Sequence, residues 1–346
     1  ALGYEWSAWN MGKDGFFNIL KNFTGPGSQF YSWVMSIPYS IFGRNILILQ
    51  SIGLFFGVTS VYLACSLSER IWGKEAATKA GWLVALFPSS ILYSVIILKE
   101  VYCSFFLLLG VMNVVDWVDQ KKLMSAFFAL MSFMIAGFFH GPLFLGILLF
   151  VFFLFINSIK KIIKSLLELR LHLTGLIYLF LVIYLVIYLF SNQIYLPYIG
   201  TLELIDFSTI ASNVTNRMSG DASYPQWLLI ETPTEFIYKS LIRILYLLFS
   251  PFPWAIKEPT HIIGTIDGIL YMILFSFIIF NIKTLYEYPL LRIILVFLFF
   301  YLFIYGIGVG NFGAGIRHRS KFIIEIIILS APFIPKIIFS KNKKKI

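Results

Sequence analysis

The amino-acid sequence predicts an all-α fold, a polytopic bundle of transmembrane helices. Hydrophobic residues make up 59% of the 346 residues and charged residues only 13%, against about 25% charged residues in soluble domains. The mean hydropathy is +0.85. In lipid every backbone polar group needs a partner within the protein, so only helices or closed barrels cross a bilayer. The sequence lacks the alternating segments of about ten residues that build a barrel, which leaves helices.

Apolar runs predict about nine spans, because a helix needs about 20 apolar residues to cross the hydrocarbon core. The predicted spans are 45–66, 80–98, 101–118, 123–139, 141–158, 173–191, 262–281, 289–309 and 322–338. They divide the chain into a first outer loop with juxtamembrane helices (1–44), a first set of transmembrane helices (45–191), an outer loop with an interfacial helix (192–261), and C-terminal transmembrane helices with a basic tail (262–346).

Lysine and arginine predict the orientation, because short cytoplasmic loops carry an excess of both. More than half of the 27 Lys and Arg residues fall on one side if that side receives 67–79, 119–122, 159–172, 282–292 and the tail. The opposite, outer side then receives 1–44, 99–100, His140, 192–261 and 310–321. The net charge of +10 follows the same rule, so nucleic acid is not a predicted partner. We expect a multi-pass protein of the plasma (inner) membrane.

Two outer segments are amphipathic and too short to span. Residues 31–42 are interrupted by Pro38, and residues 235–249 carry Lys239 and Arg243 four positions apart, on one helical face. Both are predicted to lie along the membrane surface. If 235–249 were a span instead, the last two helices would invert and the tail would face outward, and this alternative stays open.

The charged pair Lys99–Glu100 interrupts two apolar runs that can each nearly cross a bilayer. The pair is therefore predicted in the outer hairpin between two spans, where a charged group is costly unless it has a function. Glu100 could orient or deprotonate an acceptor hydroxyl, or help to position a metal, with Lys99 binding a phosphate nearby. The alternative is a hairpin cap whose side chains reach interfacial water. No cofactor and no set of metal ligands is predicted.

A cluster of cations directly precedes the last predicted span and comprises Arg317, His318, Arg319 and Lys321. Arginine binds phosphate oxygens through two parallel hydrogen bonds. Positive charge on the outer side runs against the usual bias, so a phosphate-bearing ligand is predicted, with anionic lipid headgroups as the alternative. His140, in a Gly-Pro turn between two spans, could contact the same anion or could simply cap a helix.

The order of these features resembles the GT-C superfamily of polyprenol-dependent membrane glycosyltransferases, such as protein O-mannosyltransferases and lipid A aminoarabinose transferases. Residues 3–43 resemble the first outer loop of these enzymes, and residues 68–100 resemble the helical pair that ends in an outer acid. FFHGPLFL (138–145) is similar to their basic-Gly-Pro turn, with His140 where Lys or Arg is commoner. RHRSKFIIEIIILSAPFI (317–334) resembles their late Arg-rich segment.

The resemblance implies a bundle with an outer cavity and a transfer reaction. A sugar would move from a polyprenyl-phosphate donor to a glycan, lipid or protein acceptor on the non-cytoplasmic face. Glu100 matches the second outer acid of the family, and His140, Arg317, His318 and Arg319 would hold the donor phosphate, beside Lys99 and Lys321. The main acid of the family would fall at or before Ala1. Either the chain lacks an N-terminal helix or Glu5 replaces that acid.

The expected chemistry is inverting transfer, because no second carboxylate is placed as a nucleophile. Two other functions remain open at this point. A polysaccharide polymerase or ligase would use a lipid-diphosphate oligosaccharide, and a flippase or transporter would move a lipid-linked sugar without chemistry. A transporter is expected to carry paired broken helices and ionisable residues near mid-membrane, whereas the charges in this sequence gather at the predicted outer surface.

Overall fold

The computed structural model of the protein describes residues 2–27, 29–168, 195–196, 200–201, 207–218, 220, 222–256 and 258–335, with single and paired positions between 173 and 187. The helices are α1 (Leu2–Gly12), α2 (Phe16–Lys21), α3 (Phe30–Phe42), α4 (Ile46–Trp72), α5 (Lys74–Leu86), α6 (Pro88–Val95), α7 (Glu100–Gln120), α8 (Leu123–Phe139), α9 (Leu145–Leu167), α10 (Phe207–Arg217), α11 (Pro233–Phe249), α12 (Pro259–Phe280), α13 (Ile282–Glu287), α14 (Pro289–Gly308), α15 (Phe312–Arg319) and α16 (Ile323–Ser330). Short 3-10 helices cover Gly141–Phe144, Gln226–Leu228, Pro253–Ala255, Ser320–Phe322 and Ala331–Phe333. Two antiparallel two-residue strands, β1 (Tyr195–Leu196) and β2 (Gly200–Thr201), complete the regular structure of these ranges. The predicted all-α helical fold is confirmed.

Within the described residues, five helical segments are long and apolar enough to cross a membrane. They are Ile46–Trp72, Glu100–Gln120, Gly141–Ser165, His261–Phe280 and Pro289–Gly308. At about 1.5 Å per residue, 20 residues already reach about 30 Å, the thickness of the hydrocarbon core. These segments indicate a membrane protein. The predicted span 173–191 and the basic tail from residue 336 lie outside the ranges that the structure describes as continuous chain.

Two of the predicted spans differ from the observed helices. The run 80–98 is divided between α5 and α6, because Pro88 lacks a helical N–H donor and keeps Phe87 extended (φ −68°, ψ 127°). In the described part of the run 322–338, which ends at residue 335, the α-helix comprises the eight residues of α16. A 3-10 turn with Pro332 near its start, Ala331–Phe333, follows it.

The two predicted amphipathic helices are present as α3 and α11. α3 continues through Pro38, and α11 begins two residues earlier than predicted. The start of α11 is set by a capping box, in which the Thr232 hydroxyl accepts from the Glu235 N–H at 3.2 Å and the Glu235 carboxylate accepts from the Thr232 N–H at 3.3 Å. Pro233 occupies the first helical turn, where a missing donor costs nothing.

The core is centred on α16, whose eight residues are all buried. This helix contacts α4, α5, α7, α12 and α14. Small residues allow close approach elsewhere in the bundle. A Cβ atom at Gly110 of α7 would lie 2.6 Å from the Phe133 ring of α8, and one at Gly53 of α4 would lie 2.7 Å from the Ser94 carbonyl of α6. α4, α6, α7 and α8 are therefore held tightly together.

Arg243 of α11 is fully buried and ties this helix to the end of α14. Its guanidinium donates to the carbonyls of Gly306 (3.1 Å), Ile307 (3.1 Å) and Val309 (2.6 Å), and also to that of Leu228 (3.1 Å). The last carbonyls of a helix have no partner within the helix, so one side chain from α11 satisfies those at the end of α14. This contact fixes the segment that leads into α15.

Candidate functional site

Glu100 stands at the start of α7 with only 1% of its surface exposed. Its Oε1 accepts hydrogen bonds from Nη2 and Nε of Arg317, at 2.7 and 3.1 Å, and the Lys321 ammonium lies 3.8 Å away. Oε2 has no hydrogen-bond partner among the described residues. The carboxylate is therefore held as an anion by two cations while one of its oxygens is unoccupied.

Arg317 and Lys321 reach Glu100 because of where α15 starts and because a 3-10 turn continues it. The side chain of Asn311 caps the helix by accepting from the Ala314 N–H at 2.8 Å. The helix then runs into the 3-10 turn Ser320–Phe322, so Arg317 and Lys321, four residues apart, share one face. Lys321 is fully buried, whereas 40% of the Arg317 side chain is exposed. Arg317 is thus the member of the pair that solvent or a ligand can contact.

Two histidines complete the cluster beside these cations. Nδ1 of His318 lies 2.9 Å from the Lys321 ammonium, and the two imidazole rings are 5.0 Å apart. Nδ1 of His140 lies 2.7 Å from the Tyr305 hydroxyl. Burial, together with the charge of Lys321, keeps the pKa of both histidines well below the usual range. Both rings are therefore neutral at pH 7 and act as polar rather than cationic neighbours.

Lys99 contributes a further positive charge. Its side chain is 7% exposed, and no hydrogen bond or ion pair joins its ammonium to a described residue. The Lys99 charge adds to those of Lys321 and Arg317 in lowering the pKa of His140 and His318, which places it in the same cluster. Arg317 and Lys321 thus face the carboxylate and Lys99 lies near the histidines and Lys321, so these three cations and one carboxylate leave two positive charges in excess. Such an excess in a partly buried site favours an anionic ligand.

Arg319, which was predicted to bind phosphate with its neighbours, does not join the cluster. Its guanidinium donates to Asp267 at 3.0 and 3.1 Å and to the carbonyls of Leu248, Ser250 and Gly264. These contacts use all five of its N–H groups, and the residue is fully buried. The physical reason is helical phase, because residues two apart on a helix point to different sides. Arg319 is a structural residue that joins α15 to α12.

Glu5, the second predicted catalytic carboxylate, also has a structural environment. Its two oxygens accept from Nε and Nη2 of Arg44, each at 2.9 Å, and the Tyr39 hydroxyl donates to Oε1 at 3.0 Å. The Arg44 guanidinium lowers the pKa of the Glu5 carboxyl. Both oxygens are hydrogen-bonded and only 2% of the residue is exposed, so Glu5 joins α1 to the end of α3.

A cavity of about 190 Å³ reaches Glu100 from between α4 and α6. Its walls are apolar and carry the serines Ser60, Ser89, Ser90, Ser94, Ser104 and Ser320, together with Tyr93. At the mouth, Leu54 and Val58 of α4 and Ile91 of α6 are 46–62% exposed. The apolar part of an amphipathic ligand, such as a lipid tail, can therefore lie between α4 and α6, with the polar group of that ligand next to Glu100.

Sequence reasoning missed several residues of this site. Tyr305 and Tyr93 lie in apolar runs where aromatic residues are the rule, so nothing in the pattern separates them from packing residues. Ser94 and Ser104 have equally ordinary surroundings in the sequence. Among the residues that the structure describes, no group of three or more His, Cys, Asp or Glu side chains is arranged to hold a metal ion.

Comparison with known proteins adds no assignment: no family model, curated protein or solved structure matches this chain.

Proposed function

We propose that the protein is a membrane glycosyltransferase. It moves a sugar from a polyprenyl-phosphate donor to a glycan, lipid or protein acceptor at the non-cytoplasmic face of the plasma membrane. In this proposal the bundle has about nine spans and a cavity that opens to the outer side. The observation that carries the proposal is the contact of Glu100 with Arg317 and Lys321, at the inner end of a cavity between α4 and α6.

The charge balance of the cluster supports a monophosphate donor. A sugar phosphodiester of a lipid carries one negative charge, whereas the departing lipid phosphate carries about −1.5 to −2 at pH 7. The two excess positive charges of Lys99, Arg317 and Lys321 therefore match the leaving group better than the donor. Stronger binding of the developing charge than of the ground state is what accelerates transfer. The diphosphate donor of a polymerase or ligase already carries two negative charges before transfer, so the cluster would match its ground state and its leaving group would exceed the two excess charges. This comparison favours the monophosphate donor.

The acceptor would lose its proton to Glu100, the carboxylate of the cluster. Oε2 of Glu100 is unoccupied, while Oε1 is held by Arg317. When a donor phosphate draws Arg317 and Lys321 to itself, the carboxylate loses its partners and can take the proton of the attacking hydroxyl or amine. The acceptor oxygen or nitrogen bonds to the anomeric carbon as the bond to the phosphate oxygen breaks. Because the leaving group is already a phosphate, no general acid is needed, and we expect inversion.

The cavity between α4 and α6 supports a lipid-linked substrate. Its mouth is lined by exposed apolar residues of two helices, and Glu100 and several serines line its wall. A polyprenyl tail would lie against the apolar part. Arg317 and Lys321 contact Glu100 but do not line the cavity, so in this proposal they move towards the donor phosphate. His140 and His318, both neutral, would donate or accept hydrogen bonds to the sugar or the phosphate beside Tyr305.

The test is sugar transfer by the purified protein from a panel of radiolabelled polyprenyl-phosphate sugars. Glu100→Gln keeps the shape of the side chain and is expected to lower the rate about 10²–10⁴-fold. Arg317→Ala is expected to lower it comparably. Glu287→Gln, an exposed carboxylate on α13, is the matched control. Full activity of both site variants would refute the proposal, and lipid movement into the opposite leaflet without sugar transfer would favour a flippase.

A further inference from the structure

A second cleft, separate from the Glu100 cluster, lies between the loop before α11 and the loop after it. It has a volume of about 440 Å³. Ser223, Tyr224 and Gln226 form one side, Tyr246 and Ser250 form the floor, and Phe252 and Trp254 form the other side. Main-chain hydrogen bonds fix the first side, because residues 222 and 224 pair with residues 312 and 310 next to α15.

Aromatic rings form one continuous wall of this cleft. The Phe252 and Trp254 rings are parallel within 3° with centroids 4.8 Å apart, and Phe252 meets Tyr246 edge-on at 5.1 Å. Trp227 extends the wall beyond Tyr246. Trp254 is 79% exposed and Trp227 is 54% exposed. The negative face of an aromatic ring attracts polarised hydrogen atoms, such as the C–H groups on the face of a sugar ring.

The polar groups of the cleft are uncharged. No Lys, Arg, Asp or Glu of the described residues lines it. The Tyr224 and Ser250 hydroxyls are both almost fully buried, and Ser250 is the hydrogen-bonding neighbour of Tyr224. A hydroxyl can make one hydrogen bond as donor and two as acceptor, so a ligand hydroxyl would add a partner to this pair. An apolar wall with a few uncharged hydrogen-bonding groups fits a neutral carbohydrate and fits a phosphate or lipid headgroup poorly.

α15 connects this cleft to the Glu100 cluster. Phe312, in the first turn of α15, lines the cleft, and Arg317, further along the same helix, contacts Glu100. The two residues are five positions apart, which corresponds to about 7.5 Å along the helix axis, and they point to different sides of α15. The proposal therefore requires a glycan chain long enough to run from the cleft past α15 to Glu100.

We propose that the cleft binds neutral sugar units of an oligosaccharide acceptor. This inference rests on the proposed function, because it names the acceptor class of the same reaction. The acceptor is a growing glycan whose internal sugars stack on Trp254 and Phe252 and bond to Tyr224 and Ser250, while its terminal hydroxyl approaches Glu100. The cleft thereby selects the acceptor, and the cations at Glu100 select the donor.

The test measures binding of neutral trisaccharides of glucose, galactose, mannose, rhamnose and N-acetylglucosamine to the full chain in lipid nanodiscs, by saturation-transfer difference NMR. At least one is expected to bind, and Trp254→Ala is expected to raise its Kd about tenfold, since an aromatic contact contributes up to about that factor. Trp254→Phe should restore most of the affinity. Tyr224→Phe, which removes only a hydroxyl, should raise the Kd severalfold. Trp6→Ala, at a tryptophan on α1 that is also largely exposed, is the control and should leave the Kd unchanged.

Failure of this inference and failure of the proposed function give different results. If no trisaccharide binds, or if Trp254→Ala, Tyr224→Phe and Trp6→Ala bind alike, the cleft is not a glycan site, whatever the Glu100 variants do. If Trp254→Ala weakens binding but no polyprenyl-phosphate sugar is consumed, the cleft binds glycans and the transfer reaction is refuted. If Glu100→Gln stops transfer and Trp254→Ala also raises the KM for the acceptor but not for the donor, both proposals stand.

Discussion

Glu100 and Arg317 are 217 residues apart in the chain, yet the guanidinium of Arg317 makes two hydrogen bonds to a single oxygen of the Glu100 carboxylate. A bidentate pair would have used both oxygens. The one-oxygen geometry leaves Oε2 unoccupied and 40% of Arg317 exposed. Arg317 therefore keeps a surface for another molecule, whereas the second Glu100 oxygen is buried and keeps only its capacity to accept a hydrogen bond.

Lys99→Met is expected to weaken binding of polyprenyl phosphate about tenfold without lowering stability. Lys99 is buried and has no partner among the described residues, so its removal abolishes an unfavourable buried charge and leaves no acceptor unpaired. The Kd for the lipid and the midpoint of thermal unfolding are the two measurements. Lys13→Met, an exposed lysine of the loop after α1, is the control. Unchanged lipid affinity would show that Lys99 takes no part in anion binding.

Arg319→Met is expected to destabilise the protein by about 3–5 kcal/mol, because it leaves Asp267 buried without its partner. The double variant Arg319→Met with Asp267→Leu should be more stable than Arg319→Met alone. Unfolding of Arg319→Met, Asp267→Leu, the double variant and the wild type in the same detergent, analysed as a double-mutant cycle, measures the coupling. Equal stability of Arg319→Met and the wild type would contradict the structural role assigned to this arginine.

Glu5→Gln is expected to retain sugar transfer and to lose about 1–3 kcal/mol of stability at neutral pH, since it breaks the Arg44 link. The Glu5 pKa is lowered in the folded protein, so its stabilising effect is complete above the unfolded pKa near 4.5 and disappears as the pH falls through the folded value. Denaturation at pH 7 and in acid measures both effects. Loss of transfer with unchanged stability would instead make Glu5 catalytic.

The two neutral histidines predict a second way in which the free energy of unfolding depends on pH. Because the pKa of His140 and His318 is lowered on folding, the unfolded chain binds more protons below its own pKa of about 6.5, and stability falls as the pH falls through that window. The double variant His140→Gln with His318→Gln should remove this slope. Unfolding free energies between pH 5 and 8 measure it, and an identical slope in wild type and variant would show that the rings are not neutral in the folded state.

The fold class and the two main residues of the site, Glu100 and Arg317, could be predicted from the sequence, because each is marked by a local feature of the chain. Long apolar runs identify helices, and the charges at Glu100 and Arg317 interrupt apolar runs where charge is costly. The break at Pro88 follows from the same local chemistry, although the hydrophobic pattern of 80–98 concealed it.

Other parts of the site depend on geometry that the sequence does not contain. Arg317 and Arg319 differ only in helical phase, which follows from where Asn311 caps α15. Glu5 is a candidate in the sequence because it could replace the main acid of the family, and its pairing with Arg44, which lies beyond the whole of α3, has no local signal. The separation of the aromatic cleft from the Glu100 cluster likewise depends on the packing of α11 against α15 and not on any motif.

The buried arginine of α11 has a consequence for genetics. Arg243 secures the end of α14 and the segment before α15. Its loss would therefore displace α15, the helix that holds Arg317 against Glu100. A random screen for inactive alleles should therefore recover Arg243 as readily as Glu100, and lysine, with its compact ammonium, could not replace its branched set of donors. An inactive protein with a substitution at Arg243 would then reflect a displaced Arg317 and not the loss of a group that takes part in the reaction.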